Sequence, residues 1–425
     1  MSWLLLGTFA ALSILGVPLA VALGLAAMFV LQVEGIPLSV VSQAMYTSVN
    51  SFLLIAIPLF ILAGHVMERG GLSERIFEAA NVVVGRWRGG LGHVNIAASF
   101  IFGGISGSAI ADVASLGPLE IRAMTERGYP RDYAAGLTMT TATLASIVPP
   151  SILMIIAASA AGQSVGGALA GGVGPAIILA MGFVLINYVI ARRNGYGVME
   201  PPRGFSQSAR TIGVALPALG APIIILGGMF SGIVTPTEAA GLAAFYTFLV
   251  GFVFYGGFKL REVPGILISA GRTTGTVLLI MMSASVATYV FTIDRLPQKV
   301  SEAILSVSAD PTIILLLMGV IFLIVGMFME IIAAGLILIP VLFPVAVSVG
   351  IDPLHFIVFL VTGLSLGLAT PPVGVCLFAT AQISGLPIEK LVRVSLPFYA
   401  CSMVIYLSIA IFPEIVLLPI RILMH

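Results

Sequence analysis

Phe102 to Asp112 reads FGGISGSAIAD and Thr143 to Ser151 reads TLASIVPPS, and the fold turns on these two pieces. Both lie in apolar surroundings. Yet both carry what hydrocarbon penalises: glycines beside serines, a carboxylate at Asp112, and the pair Pro149-Pro150. A helix spanning lipid satisfies its own backbone groups, and broken backbone is tolerated only where protein or a water-filled cavity covers it. Two interrupted apolar segments close together read as a midplane binding site, the pattern of secondary transporters.

The stretch occurs twice. A shift of 371 − 149 = 222 places Pro149-Pro150 on Pro371-Pro372, Gly104 on Gly326, Pro118 on Pro340 and Gly128 on Gly350 without a gap. Three of the four prolines between 104 and 163 land on prolines, which composition alone does not produce. The chain is read as an internal duplication.

Composition sets the class. The chain has 425 residues, 59% of them hydrophobic and 9% charged, with a mean hydropathy of +1.15. Soluble proteins carry about a quarter charged residues, so this is an all-α polytopic membrane protein with recurrent apolar runs of spanning length. A net charge of +1 implies no nucleic acid or other polyanionic partner. Cys376 and Cys401 both sit in apolar runs, and four scattered histidines lack paired spacing, so neither a disulfide scaffold nor a metal or haem centre is expected. The N-terminus lacks a basic n-region and a cleavage site and reads as a first span.

In chain order, Trp3 to Gln32 reads as two short helices split at Gly16-Val17-Pro18. Residues 34–48 read as a connector, 49–66 as a span and 67–92 as a charged amphipathic segment. Residues 93–120 form the first broken hydrophobic segment, followed by Arg122, Arg127 and Arg131. Basic residues in short loops are retained in the cytoplasm, so this segment is expected to be a hairpin opening inward. Residues 133–160 cross with a break near Pro149, and 173–191 cross back to Arg192-Arg193. A polar linker over 194–212, holding Arg203 and Arg210, divides the first repeat (1–193) from the second (213–425). Spans over 213–231, 239–257 and 273–292 follow. The second hairpin, 311–348, then opens outward, 355–382 is the second broken helix, and 394–418 is the last span. The repeats are thus expected to be inverted.

Certain residues have chemistry to offer. Ser106, Gly107 and Ser108 fall at the tip of the first hairpin, where carbonyls and hydroxyls suit a hard monovalent cation such as Na⁺. Small residues there would also permit tight helix packing. Gly326 to Glu330 hold the same place in the second copy, with Phe328 for Ser106 and Glu330 for Ser108. Asp112 and Glu330 are ionisable groups inside apolar segments, costly there and functional by default; for Asp112, an ion pair with an arginine is the alternative. Proline removes a donor and clashes with the carbonyl four residues back, which frees carbonyls near Ala145, Ser146, Gly367 and Thr370. Thr235-Pro-Thr-Glu238 reads as a helix start, capped by Thr235 or Thr237. An intramembrane hydrolase needs a base beside its serine, and Ser106 and Ser108 show none, so no enzyme is expected. A channel needs a continuous polar path that the few ionisable groups do not provide.

FGGISGSAIAD, the IVPPS segment, GIVTPTEAAG (Gly232 to Gly241), GMFMEIIAA (Gly326 to Ala334) and GLATPPVG (Gly367 to Gly374) together resemble the large membrane subunit of tripartite ATP-independent periplasmic (TRAP) transporters, over essentially the whole chain. The resemblance implies an elevator-type, Na⁺-coupled importer of organic acids in a bacterial inner membrane, with two re-entrant hairpins in a moving domain framed by a scaffold. It implies a small four-span membrane subunit and a periplasmic substrate-binding protein as partners, besides membrane lipid. It implies Na⁺ at the first hairpin, Ser106 and Ser108, against the break from Gly326 to Met329. A second Na⁺ is implied at the second hairpin and the break holding Gly367, Thr370 and Val373. Candidate substrate contacts are Gly107, Asp112, Thr143, Ser146 and Glu330. A stand-alone Na⁺/carboxylate symporter with the same hairpins is the alternative reading. Which organic acid is carried is not read from the chain.

Overall fold

The computed structural model describes residues 1–197, 204–308 and 310–424. The expected linker therefore falls partly outside the described residues, Arg203 included.

Helices dominate because apolar backbone in lipid must bond to itself. The first half runs α1 (Ser2–Ile14), α2 (Leu19–Val33), α3 (Ser39–Val49), α4 (Ala56–Arg69), α5 (Leu72–Val84), α6 (Gly90–Ser106), α7 (Ala109–Ser115), α8 (Gly117–Glu126), α9 (Arg131–Thr141), α10 (Ile152–Ala160) and α11 (Val165–Asn194). The second half runs α12 (Phe205–Phe230), α13 (Pro236–Leu249), α14 (Val263–Ile293), α15 (Leu296–Val307), α16 (Pro311–Phe328), α17 (Ile331–Ser348), α18 (Pro353–Gly367), α19 (Val375–Ser384), α20 (Ile388–Ile411) and α21 (Glu414–Leu423). Among the described residues, eight helical stretches are long and apolar enough to cross a membrane.

The offset read from the prolines holds in three dimensions. Adding 222 to α6 (90–106) gives 312–328 against α16 at 311–328, and adding it to 109–126 gives 331–348, the span of α17. Likewise α9 maps on α18, α10 on α19, α11 on α20 and amphipathic α5 on α15. The halves then interlock by exchange. Helix α10 packs on α17 while its counterpart α19 packs on α7, and α13 packs on α4 while α14 packs on α2. At the centre the Ser365 hydroxyl donates to the Thr143 carbonyl at 2.8 Å. These residues are 365 − 143 = 222 apart, and equivalent positions of a two-fold pair meet only at its axis.

Two bodies result. Helices α1–α4 and α12–α14 form a framework, and α6–α11 with α16–α21 form a body that carries both hairpins. They touch mainly where α4 meets α6 and α10, and where α14 meets α17. Helices α5 and α15 join them, α5 packing on α6 and α12, and α15 on α17 and α14.

Local starts follow the expected chemistry. Gly16 takes φ +83° between α1 and α2, and Thr235 with Glu238 forms a capping box at α13, reciprocally satisfying two helix-end donors. Two expectations are corrected. The connector over 34–48 contains α3, a helix that tertiary packing on α14 supports, with the Ser285 hydroxyl donating to the Ala44 carbonyl at 2.9 Å. The last span over 394–418 is interrupted between α20 and α21 at Phe412-Pro413, because Pro413 cannot continue the helical ladder.

Candidate functional site

The first hairpin turns at Gly107, which takes φ +59° between the end of α6 and the start of α7. A side chain there is excluded twice over. The left-handed conformation favours glycine, and a Cβ would meet the Pro150 carbonyl oxygen at 2.7 Å and the Ile152 nitrogen at 2.8 Å. The tip therefore rests directly on the Pro149-Pro150 break. Ala109 N–H donates to the Ser146 hydroxyl at 3.1 Å, and the Ser151 hydroxyl donates to the Ser146 carbonyl at 2.6 Å. Ser108 and Ser151 cap α7 and α10, accepting from Ala111 N–H at 3.4 Å and Met154 N–H at 3.3 Å.

The second hairpin repeats this with other chemistry. Met329 and Glu330 are extended between α16 and α17, and the Glu330 carboxylate caps α17, accepting from Ile332 N–H at 2.9 Å and Ala333 N–H at 3.2 Å. Gly326 lies on the second break: a Cβ there would stand 2.6 Å from the Leu364 carbonyl oxygen and 3.2 Å from Gly367 Cα. Gly374 N–H donates to the Met327 carbonyl at 2.7 Å. The Tyr399 hydroxyl donates to the Ala369 carbonyl at 2.5 Å. Thr370 donates its hydroxyl proton to Leu366 O at 2.7 Å, which leaves its oxygen lone pairs for another partner. Both Pro-Pro bonds, 149-150 and 371-372, are cis.

The residues expected at the cation sites fall into two spatial groups. Ser106 and Ser108 sit with the break at Ser146 to Ser151 rather than with Gly326 and Met329. Gly326 instead joins Gly367, and the Met327 carbonyl joins Gly374, on the loop that holds Thr370 and Val373. The reason is covalent proximity: the first arm of each hairpin packs on the first half of the broken helix of its own repeat, which follows it in the chain, while the second halves, α10 and α19, cross to the other hairpin.

Of the expected substrate contacts, Gly107 and Glu330 line a cavity of about 620 Å³. Thr143, Ser146 and Asp112 are buried behind it. Thr143 has its hydroxyl on the Thr140 carbonyl at 2.6 Å and its own carbonyl on Ser365. Asp112 forms no ion pair with a described residue. One of its oxygens accepts from the Ser99 hydroxyl at 2.8 Å, inside a polar network that sequence reasoning missed. Asn95 donates to Glu120 at 2.7 Å and to Thr138 at 2.6 Å, and accepts from the Thr141 hydroxyl at 2.7 Å. Both carboxyl groups are fully buried, and Asp112 Oδ1 and Glu120 Oε1 have no hydrogen-bond partner among the described residues. The counterparts of Asn95, Ser99, Asp112, Glu120, Thr138 and Thr141 in the second repeat are Leu317, Ile321, Ala334, Leu342, Leu360 and Gly363. One hairpin is held by polar bonds and the other by apolar packing.

Both tips reach the cavity. Ser106 to Ser108, the first turn of α10 (Ile152, Leu153) and the first turn of α17 (Ile331 to Ala333) form one wall, and framework residues form the other. Helix first turns carry amide groups without intrahelical acceptors and the positive end of the helix dipole; at α17 these already serve the Glu330 carboxylate, so the first turn of α10 is the one that suits an anionic group. The framework wall brings His65 and Glu68 from α4 with Thr273 and Thr276 from α14. None was expected as a site residue. Polar side chains near the ends of spans read as membrane flanks until their place on a cavity wall is seen.

Residues 6–415 match the family described as "Tripartite ATP-independent periplasmic transporter, DctM component". The chain is 36% identical over 377 residues to the "Sialic acid TRAP transporter large permease protein SiaM" of Vibrio cholerae serotype O1, covering 89% of this chain and 88% of that protein. It is 35% identical over 373 residues to the "C4-dicarboxylate TRAP transporter large permease protein DctM" of Pseudomonas aeruginosa, covering 87% of each. With the "Isethionate TRAP transporter permease protein DctMQ" of Oleidesulfovibrio alaskensis it shares 35% identity over 412 residues, 97% of this chain and 65% of that longer protein. Among solved structures, the YdaH transporter of Alcanivorax borkumensis overlays with a TM-score of 0.64 at 15% identity, over 91% of this chain and 88% of that one. At that identity the likeness is one of fold.

The polar network behind the first tip makes a direct prediction. Asn95→Leu, which copies Leu317, removes the amide donor from the buried acceptors Glu120 Oε2 and Thr138 Oγ1, while the Thr141 hydroxyl keeps the Leu137 carbonyl. Each buried orphan costs about 1–3 kcal/mol, so the melting temperature of the purified protein should fall. The pair Asn95→Leu with Glu120→Leu, which also copies Leu342, should recover part of that loss. An unchanged melting temperature in the single variant refutes the network as a support of the hairpin.

Proposed function

Because the chain belongs to the DctM component family of tripartite ATP-independent periplasmic transporters, we propose that it imports an organic acid across a bacterial inner membrane, driven by Na⁺, by movement of the hairpin body against the framework. A periplasmic substrate-binding protein delivers the acid, and a small four-span membrane subunit accompanies the framework. The observation that carries this reading is the cavity where both hairpin tips face α4 and α14. A site bounded on one side by each body changes its access when one body slides past the other. The first turn of α10 holds the carboxylate end of the acid, as oriented amide groups hold anions, while the first turn of α17 serves the Glu330 carboxylate. The names of the relatives, sialic acid and C4-dicarboxylate permeases, support an acid as cargo.

Na⁺ is a hard cation that takes oxygen ligands from unwound backbone in discontinuous helices. We place one ion at the second break, among Gly326, Met329, Gly367, Thr370 and Val373, and one at the first, among Ser106, Ser108 and the freed carbonyls near Ser146. Bound there, an ion ties each hairpin to its broken helix. Loaded hairpins then close over the cavity together, so the ion and the acid travel in one movement.

Inverted orientation of the repeats puts α5 in the cytoplasm and α15 in the periplasm. Single cysteines replacing the exposed Glu74 and Glu302, in a background lacking Cys376 and Cys401, should differ in whole cells: only the second reacts with an impermeant thiol reagent. Labelling of both from outside refutes the inversion.

Coupling is tested at Thr370. Uptake into proteoliposomes with both partner subunits should require an inward Na⁺ gradient, and K⁺ should not replace it. Thr370→Val removes one oxygen while keeping shape, and losing one such ligand costs about 1–3 kcal/mol. Half-saturating Na⁺ should therefore rise about five-fold or more at normal expression. An unchanged Na⁺ requirement removes the hydroxyl from the ligand set, and equal uptake in K⁺ ends the Na⁺ reading altogether.

A further inference from the structure

We propose that the acid this chain carries is a polyhydroxylated monocarboxylate, and that the framework wall formed by His65, Glu68, Thr273 and Thr276 recognises its hydroxyl groups. This rests on the reading of the cavity as an organic-acid site and concerns the end of the acid away from the hairpin tips.

Hydrogen-bond accounting gives the wall its character. A hydroxyl has one proton to give. Thr273 spends its proton on the Ser269 carbonyl at 3.2 Å, and Thr276 spends its own on the Arg272 carbonyl at 3.0 Å. Both side chains line the cavity with oxygens left only as acceptors. His65 Nε2 stands 3.3 Å from Thr273 Oγ1, and since that oxygen has no proton to spare, the imidazole supplies the hydrogen. The other imidazole nitrogen faces Glu68 at 3.9 Å, so any positive charge on the ring is answered within the wall. Glu68 itself only accepts.

The wall therefore presents two hydroxyl oxygens and a carboxylate, and no Lys or Arg is among the described residues that line the cavity. A second carboxylate placed here would face acceptors and a like charge with no cation to offset them, which is how a site rejects a competitor. A hydroxyl-bearing chain would donate to each of these oxygens. A site built for hydroxyl hydrogen bonds also discriminates strongly against an analogue lacking them, because its own polar groups are left unpaired. Ile61, Val277 and Ile280 line the space between the two poles and fit the C–H faces of such a molecule. The cavity volume of about 620 Å³ falls in the range that encloses ligands far larger than a four-carbon diacid.

The test uses the full chain in lipid nanodiscs with Na⁺ present and three six-carbon acids that share one carboxylate end: D-gluconate, adipate and hexanoate. Binding is read by calorimetry. Gluconate should bind at least tenfold more tightly than either other acid. Thr273→Val and Thr276→Val should each lower the gluconate-to-hexanoate affinity ratio about five-fold, and Glu68→Gln should raise adipate affinity relative to gluconate. Adipate binding as tightly as gluconate, or ratios that stay at the unmodified value in all three variants, overturns the proposal. Binding of hexanoate and adipate without preference for gluconate leaves the organic-acid site standing and removes only its hydroxyl specificity. Failure of all three acids to bind overturns the organic-acid reading and this inference together.

Discussion

A peptide group that leaves a helix inside hydrocarbon must find its hydrogen bond in protein, or the structure forfeits several kcal/mol. The two broken segments of this chain are organised by that requirement. At the first, the hydroxyl of Ser146 takes the free N–H of Ala109 and its carbonyl takes the hydroxyl of Ser151. At the second, Gly374 N–H reaches the Met327 carbonyl, Cys376 N–H reaches Leu368, and the Tyr399 hydroxyl covers Ala369. Each hairpin tip must come close enough to serve as the partner of its break, and glycine makes the approach possible. At Gly103 a Cβ would collide with the Ala145 backbone, and at Gly367 it would stand 2.6 Å from the Gly326 carbonyl carbon. The binding chemistry proposed for the breaks would be a by-product of them, since a backbone unwound enough to need covering is also unwound enough to offer oxygens.

Duplication preserved the backbone and let the side chains diverge. Helix ends agree to within a few residues at an offset of 222, and the equivalent residues Thr143 and Ser365 meet at the centre. The tips do not share chemistry: Ser108 caps one second arm and Glu330 the other. Behind them, the Asn95, Glu120 and Asp112 network of one hairpin is replaced by leucines, an isoleucine, an alanine and a glycine. A buried polar network specifies its neighbours more narrowly than apolar packing does. The two hairpins are therefore expected to differ in stiffness.

Reading the chain alone recovered what depends on local covalent chemistry. Prolines at matched places gave the repeat, Gly107 gave the tip, the Thr235 to Glu238 pattern gave the helix start, and the Gly16 to Pro18 interruption gave the split between α1 and α2. What escaped depends on which surfaces meet. Nothing in the spacing of Gly326 and Ser106 says that each tip rests on its own break. The buried partner of Asp112 lies 13 residues before it at Ser99, and Asn95 reaches Glu120 across 25 residues, contacts that a linear pattern does not encode. His65, Glu68, Thr273 and Thr276 are ordinary polar residues until α4 and α14 are set beside the hairpin tips. Helix α3 was hidden because its own polarity is too high to announce a helix in a membrane chain, and packing on α14 supplies what its propensity lacks.

The proposed transport requires the two bodies to move against one another, with the acid bound in the cavity at their boundary. Spin labels at Glu262 on the framework and Lys390 on the hairpin body, both exposed, measure that motion by pulsed electron resonance. A control pair at Glu126 and Lys390 lies within one body. In nanodiscs, exchanging K⁺ for Na⁺ should redistribute the framework-to-body distances between two populations while the control pair keeps one distance. Identical framework-to-body distributions in both ions would contradict the account, because a cation that binds at the breaks without altering the balance of the two bodies could not drive transport.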